Sequence, residues 1–180
     1  MKLYLYTFDV MLIGCLLVIN VKSGLEFTNV KCNEIDKSSI LFDSCEIKSI
    51  NRTYKYLFIH IKFPKRELIY NVTTTFALLR KASGYKPFLY NFTVDAWKYL
   101  KKRNNPVINY FHSWFEKYST LNRSCPYGPI EETINKVPIN HISRLTSDIL
   151  PLPAGEYALH TTWIFYKKRV ATVLFYFQIN

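Results

Sequence analysis

Apolar and polar side chains alternate along much of this chain, which is the pattern of half-buried β-strands. Residues 54–63 are a clear case, because one face of this segment carries large apolar side chains: Leu57, Ile59, Ile61 and Phe63. Similar alternation predicts at least six strands, at residues 26–32, 42–50, 54–63, 67–80, 157–166 and 170–180. Strands joined by short turns in this way indicate an antiparallel sandwich.

The sequence also indicates which faces of two strands are buried. Asn71 begins an Asn-Val-Thr glycosylation acceptor, and a glycosylated asparagine must face solvent. The opposite parity of that strand is therefore expected to face the core: Leu68, Tyr70, Val72, Thr74, Phe76 and Leu78. A turn predicted at residues 167–169 leads to the last strand, whose apolar face holds Ala171, Val173, Phe175, Phe177 and Ile179.

The middle of the chain follows a helical period instead. Asn105-Pro106 is typical of a helix start, with an N-cap followed by proline at the first helical position. Apolar residues then recur at helical spacing: Ile108, Phe111, Trp114 or Phe115, and Tyr118. Residues 93–103 form a shorter candidate helix, and residues 130–137 could form one or two helical turns that begin with solvated Glu131 and Glu132. We therefore expect an all-β sandwich with a short helical insert around residues 93–120.

The first residues predict export from the cell. Residues 10–21 read VMLIGCLLVINV, an apolar run shorter than a membrane-spanning helix. Val21 and Ser23 are small residues at the −3 and −1 positions of a cut after Ser23. We predict a signal peptide at residues 1–23 and a single mature domain at residues 24–180 without a transmembrane span. The alternatives are an uncleaved anchor and a lipoprotein box. A secreted, extracellular location is also favoured by the four N-x-S/T acceptors, Asn51, Asn71, Asn91 and Asn122.

The cysteine content agrees with secretion. Cys15 leaves with the signal peptide, so three cysteines remain in an oxidising compartment. Cys32 and Cys45 lie on neighbouring predicted strands, and we predict a disulfide bond between them. Cys125 is then either buried and inert or available for an intermolecular bond.

Charge narrows the choice of partners. The chain has 24 Lys and Arg against 13 Asp and Glu, a formal net charge of +11. Basic clusters occur at residues 101–103 and 167–169. Because a secreted protein rarely meets nucleic acid, we expect anionic lipid headgroups, glycans or an acidic receptor as partners. Plain solvated turns are the alternative for both clusters.

Catalytic motifs are missing from the sequence. It lacks the common nucleophile, metalloprotease and nucleotide-binding patterns. Its histidines have no Cys, Asp or Glu at metal-ligand spacing: His60, His112, His141 and His160. We therefore expect no enzyme activity, no metal and no cofactor.

Aromatic residues are unusually frequent, with 13 Phe, 14 Tyr and 3 Trp. They exceed what a small sandwich needs for its core, and those of the insert and nearby strands would enclose an apolar space between the sheets. Such a space suits a lipid or another hydrophobic ligand. The residues expected to line it are Phe76, Leu78, Phe111, Phe115, Trp163, Phe175 and Phe177. A solid core built from the same residues is the alternative.

Five ordered segments carry a resemblance that covers essentially the whole mature chain. They are FTNVKC at 27–32, SCEIK at 44–48, GYKPFLYN at 84–91, SCPY at 124–127 and LPAGEY at 152–157. In this order they resemble an insect family of small secreted proteins of unknown function, which includes the CheA/CheB-type chemosensory proteins. That family is similar to the ML lipid-recognition superfamily. The resemblance implies an immunoglobulin-like sandwich that opens to hold lipid between its sheets, without catalytic residues.

One position departs from the family pattern. The family usually has a cysteine where this chain has Ala96, and that cysteine would bridge to Cys125. The resemblance therefore implies that the helical insert lacks its usual covalent anchor here.

Two functions follow as hypotheses. The first is a secreted binder or carrier of a lipid or other hydrophobic small molecule, with a chemosensory role as one setting. The second is a secreted accessory or structural protein with a filled core that acts through protein contacts.

Overall fold

A computed structural model describes residues 24–51, 54–65, 68–121, 131–149 and 152–180. The predicted signal peptide, the acceptor Asn122 and the leftover Cys125 lie outside the described residues.

The described chain forms two antiparallel sheets that face each other, so the prediction of an all-β sandwich is confirmed. The strands are β1 (Leu25–Glu34), β2 (Leu41–Ser49), β3 (Lys55–Lys62), β4 (Val72–Ala82), β5 (Gly84–Asp95), β6 (Glu131–Pro138), β7 (Gly155–Phe165) and β8 (Lys168–Ile179). One sheet has five strands in the order β1-β8-β7-β4-β5, and the other has three in the order β2-β3-β6. The helices are α1 (Ala96–Lys102), α2 (Pro106–Ser113) and α3 (Ile139–Ile149), with a 3₁₀ turn at Glu116–Tyr118.

The core lies between the sheets, and alternation along the strands builds it as predicted. On β8 the buried face consists of Ala171, Val173, Phe175, Phe177 and Ile179. From β3 and the residue after it, Leu57, Ile59, Ile61 and Phe63 are buried. Because side chains of a strand alternate between its two faces, this parity leaves the intervening positions towards solvent.

A disulfide bond joins the two sheets. Cys32 on β1 is bonded to Cys45 on β2, with their Cα atoms 6.1 Å apart, as the sequence predicts. The two strands belong to different sheets. The bond therefore fixes the distance between the sheets along one side of the sandwich.

The helical insert forms where the capping residues place it. Asp95 caps α1 by accepting hydrogen bonds from the backbone N–H groups of Trp97 and Lys98, both at 3.0 Å. Asn105 caps α2 in the same manner, and Pro106 is its first residue, as predicted. The first helix begins later than predicted, because residues 93–95 continue β5.

The prediction of helical turns at residues 130–137 is wrong for the described part of this segment, since Glu131–Pro138 form strand β6. A bulge explains the error: Lys136 has φ of 50°, and the pairing with β3 shifts between Leu57 and Ile59. The extra residue lets Ile134 and Val137, three positions apart, both face the core, which imitates helical spacing. Glu132 is not solvated as predicted but fully buried, and its carboxylate accepts a hydrogen bond from the Thr120 hydroxyl.

Two further predictions of core residues are wrong at the start of β4. Leu68 and Tyr70 are 43% and 60% exposed, because the strand begins only at Val72. Before it, the chain takes an irregular course in which Ile69 is buried instead. The Tyr70 N–H donates a hydrogen bond to the Tyr166 hydroxyl.

The last hairpin turns one residue earlier than predicted. Its two loop residues are Tyr166 and Lys167, with φ of 49° and 68°. A two-residue loop with both φ values positive matches the right-handed twist of the strands it connects.

Two elements have no counterpart among the predictions. The helix α3 packs against β1, where the Leu25 N–H donates a hydrogen bond to the Ser143 hydroxyl at 3.3 Å. Strand β5 is at an edge of the five-stranded sheet and contains Pro87 and a non-glycine residue with positive φ, Leu89 at 59°. Proline and a left-handed residue are both unusual inside a strand, so the segment lacks a plain strand pattern.

Candidate functional site

A cavity of about 150 Å³ lies between the two sheets and beneath the helical insert. The five-stranded sheet provides much of one wall through Val72, Thr74, Phe76, Val94, Leu159, Thr161, Trp163, Val173 and Phe175. The opposite wall includes Ile59, Ile61 and Ile134, and the insert adds Ala96, Tyr99, Leu100, Ile108, Phe111, His112 and Phe115. Most of this surface is aliphatic or aromatic, so the space is suited to an apolar occupant.

The structure brings together five of the seven residues predicted to line a ligand site. They are Phe76, Phe111, Phe115, Trp163 and Phe175. Leu78 and Phe177 are fully buried but lie away from the cavity. Ligand binding by the five stays a prediction.

The aliphatic wall was missed as a site, although the alternation of β3 already marks Ile59 and Ile61 as inward-facing. An inward position shows only that a side chain meets the core. Whether that side chain borders space or another side chain depends on how the two sheets and the insert pack.

The other end of the sandwich is filled by an aromatic cluster, defined as Phe27, Trp114, Tyr157 and Phe177. Tyr157 stacks on Phe177 with ring centroids 5.5 Å apart and planes inclined by 16°. Trp114 meets Phe177 edge-on at 5.6 Å and Phe27 at 6.0 Å. These distances are those of favourable aromatic pairs, and this region is called the packed end.

Strand register separates the two regions along the same sheet. At the packed end, Tyr157 pairs with Phe177, which pairs with Phe27. At the opposite end, called the cavity end, Thr161 pairs with Val173, which pairs with Cys32. The disulfide therefore lies at the level of the cavity.

Polar side chains in the cavity wall are held in neutral form. The Thr161 hydroxyl donates to the Val173 carbonyl at 3.2 Å. Burial raises the pKa of Tyr99 to about 12, and its hydroxyl donates to Asn109 Oδ1 at 3.0 Å. Burial also lowers the pKa of His112, with Arg103 acting in the same direction and Glu116 opposing both. At neutral pH the imidazole is therefore uncharged, and the described residues of the wall present no full charge to an occupant.

A second depression, the basic cleft, adjoins the cavity at the insert. It measures about 540 Å³ and is bordered by Lys98, Lys101 and Lys102, together with Thr93, Asp95, Asn104 and Asn105. Among the described residues, Val94, Tyr99 and Ile108 line both the cleft and the cavity. These three side chains therefore form a partition between an apolar space and a cationic surface.

The surface carries the predicted glycosylation acceptors at accessible positions. Asn51, Asn71 and Asn91 are all exposed. A glycan needs such a position, and the modification itself stays a prediction.

One surface histidine is surrounded by carboxylates. His60 lies between Asp43 and Glu131, at 3.5 and 3.1 Å. Across the described ranges, no group of three His, Cys, Asp or Glu side chains is placed to hold a metal ion. Within the same ranges, none of the helices has the length and apolar character needed to cross a membrane.

Comparison with known proteins finds one family model that is similar to part of this chain. Residues 74–159 match the family described as "Protein of unknown function (DUF1091)". The match is slightly less than half of the chain and runs from β4 to β7, so it includes β5, the helical insert and much of the cavity wall. No curated protein matches the chain significantly.

Proposed function

We propose that this protein is a secreted, extracellular binder or carrier of a lipid or other hydrophobic small molecule, which it holds between its sheets. One observation carries the proposal: the cavity end leaves an apolar space of about 150 Å³, whereas the packed end is closed by aromatic contacts. An apolar cavity of roughly this size stays dry and can take up a benzene-sized molecule.

The size of the cavity defines what fits. Pockets for drug-sized ligands measure about 300–1,000 Å³, so a cavity of about 150 Å³ takes one small apolar molecule or the end of a chain. A bulkier ligand must displace part of the wall. The insert is the part best suited to move, since Leu100 and Phe115 are only half-buried and Ala96 cannot form the disulfide usual in the resembling proteins.

Secretion is supported by three features of the chain. The apolar run at residues 10–21 is typical of a signal peptide, the disulfide requires an oxidising compartment, and three glycosylation acceptors are exposed. We also propose that the family relationship extends to the CheA/CheB-type chemosensory proteins and the ML superfamily. The ordered segments at 84–91 and 152–157, which overlap the matched region, support that relationship and a chemosensory setting for the ligand.

The alternative function, a secreted accessory protein that acts through protein contacts, is favoured by a different observation. Leu68, Tyr70 and Tyr166 are exposed near one another, and the Tyr166 hydroxyl donates to the Leu68 carbonyl at 3.1 Å. An exposed apolar group of this kind suits a protein partner.

Uptake of benzene, an apolar probe that matches the cavity in size, tests the proposal. We expect the wild type to bind the probe and Ala96→Phe to lose most binding, because the new ring enters the cavity. Ala77→Phe is the matched control, since Ala77 is half-buried on β4 and does not line the cavity. Unfolding curves of both variants show whether they remain folded. Absence of uptake by the wild type, or equal uptake by both variants, would overturn the proposal in favour of the alternative.

A further inference from the structure

The basic cleft and the cavity are two halves of one amphipathic surface. Val94, Tyr99 and Ile108 contact both, so the apolar space begins where the cationic surface ends. Tyr99 and Ile108 are 8% and 4% exposed and close the passage, while Val94 is half-buried. An occupant that reaches both halves needs an apolar tail and a polar head, and its tail must pass these three side chains.

The charge of the cleft defines the head. Lys98 is within 4.0 Å of the carboxylate of Asp95, and that carboxylate also accepts the capping hydrogen bonds of α1. Lys101 and Lys102 are exposed at the cleft and make no ion pair within the described parts of the chain. Arg103, the last member of this basic cluster, is paired with Glu116 instead. The cleft therefore presents two uncompensated cations next to an apolar entrance.

We propose that the basic cleft is a head-group subsite, which binds the oxyanion of a single-chain anionic amphiphile whose tail enters the cavity. This inference rests on the proposed function, because it names the ligand class of the same site. A polyanion such as a glycan would use the cations but leave the apolar cavity unexplained, and a neutral hydrocarbon would leave the cations unexplained. An amphiphile with a carboxylate or phosphate head matches both features.

Binding of dodecanoate, dodecyl phosphate and dodecanol to the secreted protein tests the inference. All three ligands have the same twelve-carbon tail, so differences in their affinity report the contribution of the head group. We expect both anions to bind about tenfold more tightly than the alcohol at low salt, and to lose most of that advantage in about 0.5 M salt. Acetate and inorganic phosphate, which are heads without tails, should not compete at millimolar concentration.

Substitutions in the basic cleft and in the cavity wall test where the head group binds. In Lys101→Gln/Lys102→Gln we expect the anions to bind about tenfold more weakly and dodecanol to be unaffected. The control Lys167→Gln/Arg169→Gln removes the same charge from the β7–β8 hairpin and should leave the anions almost unaffected. Ile108→Ala should accelerate uptake of dodecanoate by opening the partition. Ile59 lines the cavity away from the partition, so Ile59→Ala should not accelerate uptake of dodecanoate.

The outcomes separate this inference from the proposed function. Equal binding of dodecanol and dodecanoate, unchanged in the Lys101/Lys102 variant, would overturn the head-group subsite and leave the carrier function standing. Equal losses in both charge variants would also overturn it, since net charge rather than the cleft would then be responsible. Failure of all three tailed ligands to bind would overturn the carrier function and the subsite together.

Discussion

The packed end and the cavity end are built from the same strands and the same kinds of side chain, yet only one is full. At the packed end, Trp114 enters from the insert and meets both Phe27 and Phe177 edge-on. At the cavity end, the insert contributes Phe111, His112 and Phe115 to the wall, and the space between the sheets is left open. The two sheets thus line the interior with similar side chains at both ends. The insert determines which end of that interior is filled.

The largest expected effect compares two phenylalanines at successive inward positions of β8. Phe177→Ala should lower the free energy of unfolding by about 3–5 kcal/mol, because it leaves a hole in the aromatic cluster. Phe175→Ala should cost about 1–2 kcal/mol less, since its ring already borders open space, and it should weaken uptake of an apolar probe. Chemical denaturation measures both. Equal losses would mean that the cavity end is as tightly filled as the packed end.

Loss of the disulfide should have the next largest effect. Cys32→Ala/Cys45→Ala should reduce stability by about 3 kcal/mol, the value expected for a closed loop of this length. Because Cys32 pairs with Val173 and Cys45 with Ile59, both of which line the cavity, the sheets should separate at that end first. Probe uptake measured in the folded variant should therefore change. An unchanged affinity would show that the bond does not shape the cavity.

A single added methylene should act with opposite signs at the two ends. Val173→Ile extends into the cavity and should stabilise the protein by about 0.5–1 kcal/mol while reducing probe uptake. Val137 is fully buried against Leu57 and does not line the cavity, so Val137→Ile should destabilise by about 1–3 kcal/mol. Urea unfolding of the two variants measures both changes in stability. Two changes of the same sign would contradict the difference between the packed end and the cavity end.

The smallest expected effect depends on pH. Burial lowers the pKa of His112 in the cavity wall, and burial with nearby Arg169 lowers the pKa of His160. The unfolded chain therefore binds more protons than the folded one as pH falls below about 6.5, so stability decreases there and levels off below the folded pKa. His112→Gln should reduce the pH dependence of stability and of probe uptake.

His160→Gln serves as the control for this last prediction. His160 does not line the cavity, so its replacement should reduce only the pH dependence of stability. If probe uptake kept its pH dependence in His112→Gln, the imidazole in the wall would not be responsible.

Much of the fold could be predicted because strands such as β3 and β8 bury one face regularly. The parity of β3 and β8 directly identified their buried residues, and Cys32 and Cys45 were identified by their neighbouring strands. Strand β6 escaped prediction because the bulge at Lys136 changes its apolar spacing from two to three. Strand β5 escaped because it buries none of its residues completely and contains Pro87.

The site could be predicted only in part, for a physical reason. Alternation identifies which side chains point inward, and this placed Phe76, Trp163 and Phe175 between the sheets. It does not give the volume left between inward side chains. Leu78 and Phe177 share the inward parity with Phe76 and Phe175 but meet other side chains instead of space. Separating the two groups requires the position of Trp114, which depends on the tertiary path of the insert.

The irregular geometry of β5 has a consequence for solubility. An edge strand with free backbone groups can recruit a strand from another molecule and begin aggregation. Here Pro87 offers no N–H group, the left-handed Leu89 accompanies a shift in the pairing with β4, and Asn91 is an exposed glycan acceptor. A neighbouring chain therefore finds no long, regular ladder to extend. Such an edge keeps the protein, even at high concentration, from joining its copies through β5.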